Sequence, residues 1–361
     1  MALVVQKFGG TSVADAARMQ RVASRVAETR RAGNEVVVVV SAMGKTTDDL
    51  IALADRINAE PPAREMDMLL TAGERISMAL LAMALDAEGI DAVSFTGSQA
   101  GILTDTAHGA AKITAITGER VRNALDDGTV VIVAGFQGVS PETREVTTLG
   151  RGGSDASAVA LAAALGADVC EIYTDVDGVF TADPRVVPDA RKLDEVTFEE
   201  MLELAAHGSR VLMARSVEFG RRFGIPIHVR SSFNDRAGTW VKESTMEQAI
   251  ISGIAHDTSE AKVTVTDVPD TPGVAADLFE LLAEESVNVD MIVQNVSSEG
   301  RTDISFTVPE EALSVAELVA TRAREQLGAA SVSVDAGIAK VSLVGAGMKT
   351  EPGVAARLFR A

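Results

Sequence analysis

In the N-terminal part of the chain, short runs of β-branched and aliphatic residues alternate with longer stretches of helical period. Val36–Val40, Thr129–Val133, Val169–Tyr173 and Ile225–Val229 read as strands, and Ala14–Ala32, Met66–Glu88 and Ala156–Leu165 read as helices. These strands are apolar at nearly every position instead of alternating, which is the pattern of a strand covered on both faces. The expected fold class is therefore α/β, a three-layer αβα sandwich around a mainly parallel sheet. The pattern lapses at Asn234–Gly238 and in the polar stretch Lys242–Gln248, which together read as a loop and linker.

Beyond that boundary the sequence repeats itself. Lys262-Val263-Thr264-Val265 followed by Thr271-Pro272-Gly273-Val274-Ala275-Ala276 returns as Lys340-Val341-Ser342-Leu343 followed by Glu351-Pro352-Gly353-Val354-Ala355-Ala356. The first copy continues through Asn288–Asn295, Asp303–Val308, a helix near Ala312–Leu327 and a strand at Ser331–Val334. That order is βαββαβ, a ferredoxin-like module. The expected divisions are 1–240 for the α/β domain, 241–261 for a linker and first regulatory strand, 262–337 for one module, and 338–361 for the start of a second. A strand and half a helix cannot bury a module's apolar face, so the second copy reads as incomplete.

Composition narrows the function classes. The chain has 361 residues, 47% of them hydrophobic, enough for a large core and more than one domain. Its formal charge of −19 disfavours binding to nucleic acid or to an anionic membrane, so an anionic ligand must be gathered by local cations. Cys170 is the only cysteine, which rules out an intrachain disulfide, and His108, His207, His228 and His256 lack zinc-ligand spacing. No metal-ligand cluster is expected. The N-terminus lacks a basic segment ahead of an apolar stretch, and the apolar runs around Val36–Val40 and Ala158–Leu165 are too short to span a bilayer. The expected location is the cytoplasm.

The chemistry lies in two glycine-rich turns, each joining a strand to a helix beside one cation. Lys7-Phe8-Gly9-Gly10-Thr11-Ser12 follows the first apolar run, and Thr147-Thr148-Leu149-Gly150-Arg151-Gly152-Gly153-Ser154-Asp155 opens the helix at Ala156. Glycine lets backbone approach a ligand, and the helix start offers unpaired N–H groups and the positive end of its dipole to an anion. Two such turns can hold two anions face to face. Neither matches a Walker loop, and no Gly-x-Gly-x-x-Gly turn follows the first strand. Taken alone, Asp155 fits an acidic residue at a helix start and Glu74-Arg75 an exposed helical charge pair.

These motifs resemble those of the aspartate kinases of the amino-acid-kinase family. The resemblance spans the whole chain: Lys7–Ser12, Ser41-Ala42-Met43-Gly44 with Thr47, Leu70-Thr71-Ala72-Gly73-Glu74-Arg75, Thr148–Asp155, Tyr173–Arg185 and the linked Pro-Gly repeats. It implies transfer of the ATP γ-phosphoryl group to the side-chain carboxylate of L-aspartate, giving 4-phospho-L-aspartate, with ATP and Mg²⁺ as cofactors. An inactive amino-acid-sensing subunit, or a kinase of the same fold with another acceptor, is the alternative. By resemblance, Lys7, Glu74, Arg151 and Asp155 are catalytic, with Lys7 on the phosphates and Asp155 organising Lys7. Phe8, Gly9, Gly10, Ser12, Thr174, Asp175, Phe180, Arg185 and Arg210 would surround the nucleotide. Ser41, Thr47, Gly152, Gly153 and Ser154 would complete the aspartate pocket, in which Glu74 holds the ammonium and Arg151 the α-carboxylate. Phe180 stands where relatives often have Tyr, and Arg210 where Lys is common.

The modules resemble ACT amino-acid sensors. That resemblance puts effector contacts at Asp270, Thr271, Pro272, Gly273, Val274, Ala275 and Ala276, facing Asn288, Val289, Asp290, Gln294 and Asn295 of a paired module. Lysine and threonine are the implied effectors. A homo-oligomer, or an α₂β₂ assembly whose smaller subunit starts at Met246, is the implied quaternary form, with no nucleic-acid or membrane partner.

Overall fold

The computed structural model describes residues 1–243, 251–296, 300–345 and 352–360. Met246 and the rest of 244–250 lie outside the described residues, as do Glu351 and Ala361. The described chain separates into one compact unit of Met1–Ile254 with Leu343–Ala361, and a second of Ala255–Ser342. The division falls inside two long strands, Gly253–Pro269 and Ser331–Val344.

In order, the first unit contains β1 (Leu3–Phe8), α1 (Ala16–Arg31), β2 (Glu35–Val40), α2 (Thr46–Ile57) and α3 (Ala63–Ala87). There follow β3 (Ala92–Phe95), β4 (Ile102–Thr104), β5 (Ile113–Ile116), α4 (Glu119–Asp126), β6 (Val130–Ala134), β7 (Gln137–Val139) and β8 (Val146–Thr148). The unit continues with α5 (Gly153–Leu165), β9 (Val169–Thr174), β10 (Glu195–Val196), α6 (Phe198–Ala206), α7 (Ala214–Phe223), β11 (Ile227–Ser231) and β12 (Thr239–Val241). The main sheet runs β10-β12-β11-β9-β1-β2-β6-β3, and every pairing except β11 with β12 is parallel. Val36–Val40 are all buried, as strands covered on both faces require.

One face of the sheet is covered by α1 and α3, where Met19, Val22, Val26, Leu81 and Leu85 meet Val36, Val38, Val40 and Ile132. On the other, α5 lies against β1, β2 and β9, and it is buried nearly all round. Beyond Ser154, Asp155 and Ser157 at its start, its residues are apolar without a polar face, as a central helix should be. The sandwich is therefore αβα, as the pattern predicts. A second sheet, β5-β4-β7-β8, escapes the sequence reading because its strands are only three or four residues long. Helix α3 is long and apolar enough to cross a membrane by length and composition, in contrast to the shorter runs noted above. Here it covers one face of the sheet, burying Asp67, Thr71, Glu74, Ser77, Leu81 and Leu85 and leaving Met68, Ile76, Leu80 and Met83 exposed.

The second unit begins within β13 (Gly253–Pro269) and continues through α8 (Val274–Glu284), β14 (Ile292–Val296), β15 (Arg301–Pro309), α9 (Leu313–Gln326) and β16 (Ser331–Val344). Its sheet order, β14-β15-β13-β16, with two helices, is the ferredoxin-like βαββαβ arrangement. Leu278, Leu282, Val319, Ala320 and Ala323 meet Val263, Val265, Ile304 and Phe306 in its core. The repeat is also structural. Gly273 (φ 102°) starts α8 and Gly353 (φ 91°) starts α10 (Val354–Arg360), each in the left-handed region that glycine tolerates.

Candidate active site

Parallel strands end together, so the loops after β1, β2, β6 and β9 gather at the carboxyl edge of the sheet, where ligands of open α/β sheets bind. A cavity of about 710 Å³ opens there. It is lined by Lys7, Gly9, Gly10, Ser41, Thr47, Glu74, Arg151, Gly152, Gly153, Ser154 and Asp155 among others. The two glycine turns, far apart in sequence, thus face one space.

The first turn leaves β1 at Phe8 and tightens into a 3-10 turn over Gly10–Val13. Gly10 has no room for a side chain, since a Cβ would fall 2.8 Å from the Ala42 carbonyl oxygen. Lys7 Nζ lies 2.5 Å from Asp155 Oδ1, with both side chains about nine-tenths buried. Asp155 reaches it from the first turn of α5, which begins at Gly153, earlier than the sequence pattern suggests. A buried ion pair at this spacing holds the ammonium in one place at the wall of the cavity.

The second turn carries Gly150 (φ 76°) and Gly152 (φ 69°) on either side of Arg151. Gly152 caps α5 in a left-handed conformation and packs so closely that a Cβ would lie 1.9 Å from Met213 Cγ. Arg151 is exposed and, among the described residues, forms no salt bridge. Its guanidinium is available for a carboxylate, which it can grip bidentately.

Glu74 sits on α3 and is 3% exposed. Its Oε1 accepts a hydrogen bond of 3.0 Å from the Ala42 backbone N–H, while Oε2 has no hydrogen-bond partner. Burial pushes its carboxyl up to about 7, and the Ala42 N–H pulls the other way. A buried carboxylate with a free oxygen lining a cavity is suited to an ammonium group.

Asp67, which the sequence reading missed, is fully buried on the same helix and lines the same cavity. It accepts from His108 Nδ1 at 2.6 Å, Gly109 N at 3.1 Å and Thr148 Oγ1 at 2.5 Å. The available signal was an acid two helical turns before Glu74, inside the apolar run Met66–Leu70.

The expected nucleotide residues divide. Gly9 and Gly10 line the cavity, whereas Phe8 is fully buried and stacks on Tyr173 at 4.6 Å between ring centres, so its side chain belongs to the core. Ser12 is buried with its hydroxyl 2.6 Å from that of Ser232. Thr174 ends β9, next to the first turn, with its hydroxyl bonded to Asp175 at 3.1 Å. Phe180 bridges to Lys192, Arg185 is chelated by Asp183 at 3.0 and 2.8 Å, and Arg210 is exposed. None of Thr174, Asp175, Phe180, Arg185 or Arg210 lines the cavity.

In the second unit, Asp270, Thr271, Pro272 and Gly273 form the exposed turn before α8, and Ala276 is exposed on its first turn. Val274 is buried, and Ala275 is half-buried against the module core. Asn288, Gln294 and Asn295 are exposed, with Val289 against the core. Asp290 is occupied by an ion pair with Lys340, which also meets Glu260 at 3.3 Å.

Among the described residues no cluster of three His, Cys, Asp or Glu side chains could hold a metal ion. Mg²⁺ that enters on a nucleotide needs no such cluster, because phosphate oxygens and water supply most of its octahedron. Asp155, paired with Lys7 at the cavity wall, is a carboxylate that could take part in such an arrangement.

A family model described as the amino acid kinase family matches residues 2–231, and one described as an ACT domain matches residues 262–334. Aspartokinase of Mycolicibacterium smegmatis is 60% identical over 367 residues, covering 100% of this chain and 87% of the relative. Aspartate kinase from Synechocystis is 46% identical with a TM-score of 0.62, and the match covers 99% of this chain and 62% of that one. E. coli aspartokinase III in complex with aspartate and ADP (R-state) has a TM-score of 0.81 at 27% identity, covering 99% and 91%. The same enzyme in complex with lysine and aspartate (T-state) gives a TM-score of 0.74 at 27% identity, covering 99% and 90%. The chain belongs to the amino acid kinase family, to its aspartate kinase branch with C-terminal ACT modules, and is a phosphotransferase whose acceptor is a carboxyl group.

Proposed function

We propose that the chain transfers the γ-phosphoryl group of Mg-ATP to the side-chain carboxylate of L-aspartate, giving 4-phospho-L-aspartate and ADP. This is the first step toward lysine, threonine, methionine and isoleucine. The observation that carries the reading is one cavity lined by an ion-paired lysine, a free arginine and a buried carboxylate with a vacant oxygen. Those groups match the charges of an amino-acid zwitterion approaching a phosphate.

An aspartate side chain, with a pKa of about 3.9, is already ionised at neutral pH, so no general base is required. Its oxygen attacks Pγ as the bond from Pγ to the bridging oxygen breaks, and the leaving ADP takes the electron pair. Glu74 binds the ammonium and Arg151 the α-carboxylate, with Ser41, Thr47, Gly152, Gly153 and Ser154 around them. Lys7, positioned by Asp155, neutralises charge on the transferring phosphoryl group, and the backbone of Gly9 and Gly10 lines its path. Mg²⁺ bound to the nucleotide would neutralise phosphate charge. Thr174, Asp175, Phe180, Arg185 and Arg210 lie on the nucleotide side in this reading, with Ser12 supporting the first turn.

Lysine and threonine act as feedback effectors at the ACT modules, through the turn Asp270–Ala276 and the segment from Asn288 to Asn295 of a paired module. The ACT match supports amino-acid sensing by these modules, and the lysine named for the E. coli relative supports lysine as one effector. The reading includes a cytoplasmic homo-oligomer or an α₂β₂ assembly. The test is ADP formation with Mg-ATP and L-aspartate, N-acetylglutamate, glutamate or UMP, with and without lysine plus threonine. Turnover confined to aspartate and reduced by the effectors is expected. Preference for another acceptor would overturn the substrate assignment, and indifference to both effectors the regulatory one.

A further inference from the structure

We propose that Asp67 is a positioning residue for the acceptor amino acid, setting the Arg151 turn against Glu74; this rests on the aspartate kinase reading. Asp67 stands on α3 about two turns before Glu74. The helix is continuous between them, so the two carboxylates belong to one rigid element.

From that element, Asp67 reaches two other segments at once. His108 Nδ1 and Gly109 N–H come from the loop between β4 and β5, and Thr148 Oγ1 from the last residue of β8. Thr148 is followed by the buried, apolar Leu149 and then Gly150 and Arg151, so its hydroxyl makes the last side-chain hydrogen bond before the proposed carboxylate clamp. The loop and strand are also tied to each other. Ala111 N–H donates to the Thr148 carbonyl at 2.9 Å, and Arg215 donates to the carbonyls of Leu149 at 3.2 Å and Ala111 at 3.0 Å. Gly150 lies so close to the Gly109 carbonyl that a Cβ would fall 3.0 Å from it.

A carboxylate this buried is costly unless its oxygens are satisfied, and here Oδ1 and Oδ2 both accept. The arrangement would hold the α-ammonium site on α3 and the α-carboxylate site on the turn at a fixed separation. An error of about 1 Å in such a separation is enough to cost about a hundredfold in kcat/KM for the acceptor, here through its binding. Asp67 itself need not touch the substrate. Its carboxylate works through Thr148 and Gly109, and the mechanism above assigns neither an acceptor role.

The test uses Asp67→Asn and Thr148→Val in the full chain, with Thr148→Ser as the conservative rescue. Steady-state kinetics are measured against both L-aspartate and Mg-ATP, with thermal melting alongside. Asp67→Asn is expected to raise the aspartate KM by about 10- to 100-fold while the Mg-ATP KM stays within about twofold. Thr148→Val should raise the aspartate KM by about tenfold, and Thr148→Ser should restore it. Should Asp67→Asn fail to fold, the Thr148 pair decides. Wild-type aspartate KM in a folded variant, equal loss against both substrates, or Thr148→Ser as impaired as Thr148→Val overturns the inference. Absence of aspartate turnover in the wild-type chain instead overturns the reading on which it rests.

Discussion

The two glycine turns present the same composition in sequence, a cation beside a glycine pair at the start of a helix, yet the structure restrains them in opposite ways. Lys7 is nearly buried and paired with Asp155, whereas Arg151 is exposed and forms no salt bridge among the described residues. A cation that must meet charge arising only during reaction gains from being fixed beforehand. One that captures a ligand carboxylate from solvent gains from being free, provided its backbone is fixed. At Arg151 the rigidity lies in Gly150, Gly152 and the Thr148 anchor, and not in the side chain.

The contrast is broken most severely at the fixed cation. Lys7→Ala should reduce kcat by about 10³-fold with little change in aspartate binding, as calorimetry can check. Arg151→Ala should do the reverse, raising the aspartate KM by about a hundredfold with a smaller effect on kcat. If both variants lost binding and turnover alike, the two turns would not differ in role.

A smaller effect is expected from Glu74, whose carboxyl burial raises from 4.5 to about 7. A group held above its unfolded value contributes stability that is fully present below about pH 4.5 and is lost as pH rises through about 7. The ligand-free chain should therefore lose stability over that window, by at most about 3 kcal/mol, and Glu74→Gln should remove the loss. Aspartate binding should strengthen over the same window, because the ionised form receives the ammonium. Melting curves and titrations at pH 5 to 8 would show whether these two trends run in opposite directions. The smallest effect is expected at Arg185, chelated by Asp183 and outside the cavity. Arg185→Ala should change the Mg-ATP KM by less than about threefold.

Much of this was legible before any coordinates. Apolar runs without alternation announce a sheet buried on both faces, and the returning Pro-Gly pair announces two copies of one turn. Lys7 and Arg151 stand out because fixed charge beside a glycine turn needs a reason, whereas Glu74, which alone reads as half of an exposed charge pair, stands out only through the resemblance. What sequence hides is side-chain direction and long-range pairing. Phe8 sits in a motif that touches nucleotide by resemblance, but period-2 geometry turns its ring into the core against Tyr173. Asp67, His108 and Thr148 come from separate segments, with Asp67 and Thr148 81 positions apart, so no local pattern joins them.

The central claim is tested most directly by trapping the product. The chain is incubated with Mg-ATP, L-aspartate and hydroxylamine, which converts an acyl phosphate to a hydroxamate, and the aspartyl hydroxamate formed is compared with the ADP released. The account predicts side-chain aspartyl hydroxamate in step with ADP, both lost in Lys7→Ala. ADP release without hydroxamate, or no turnover by folded wild-type protein, would contradict it.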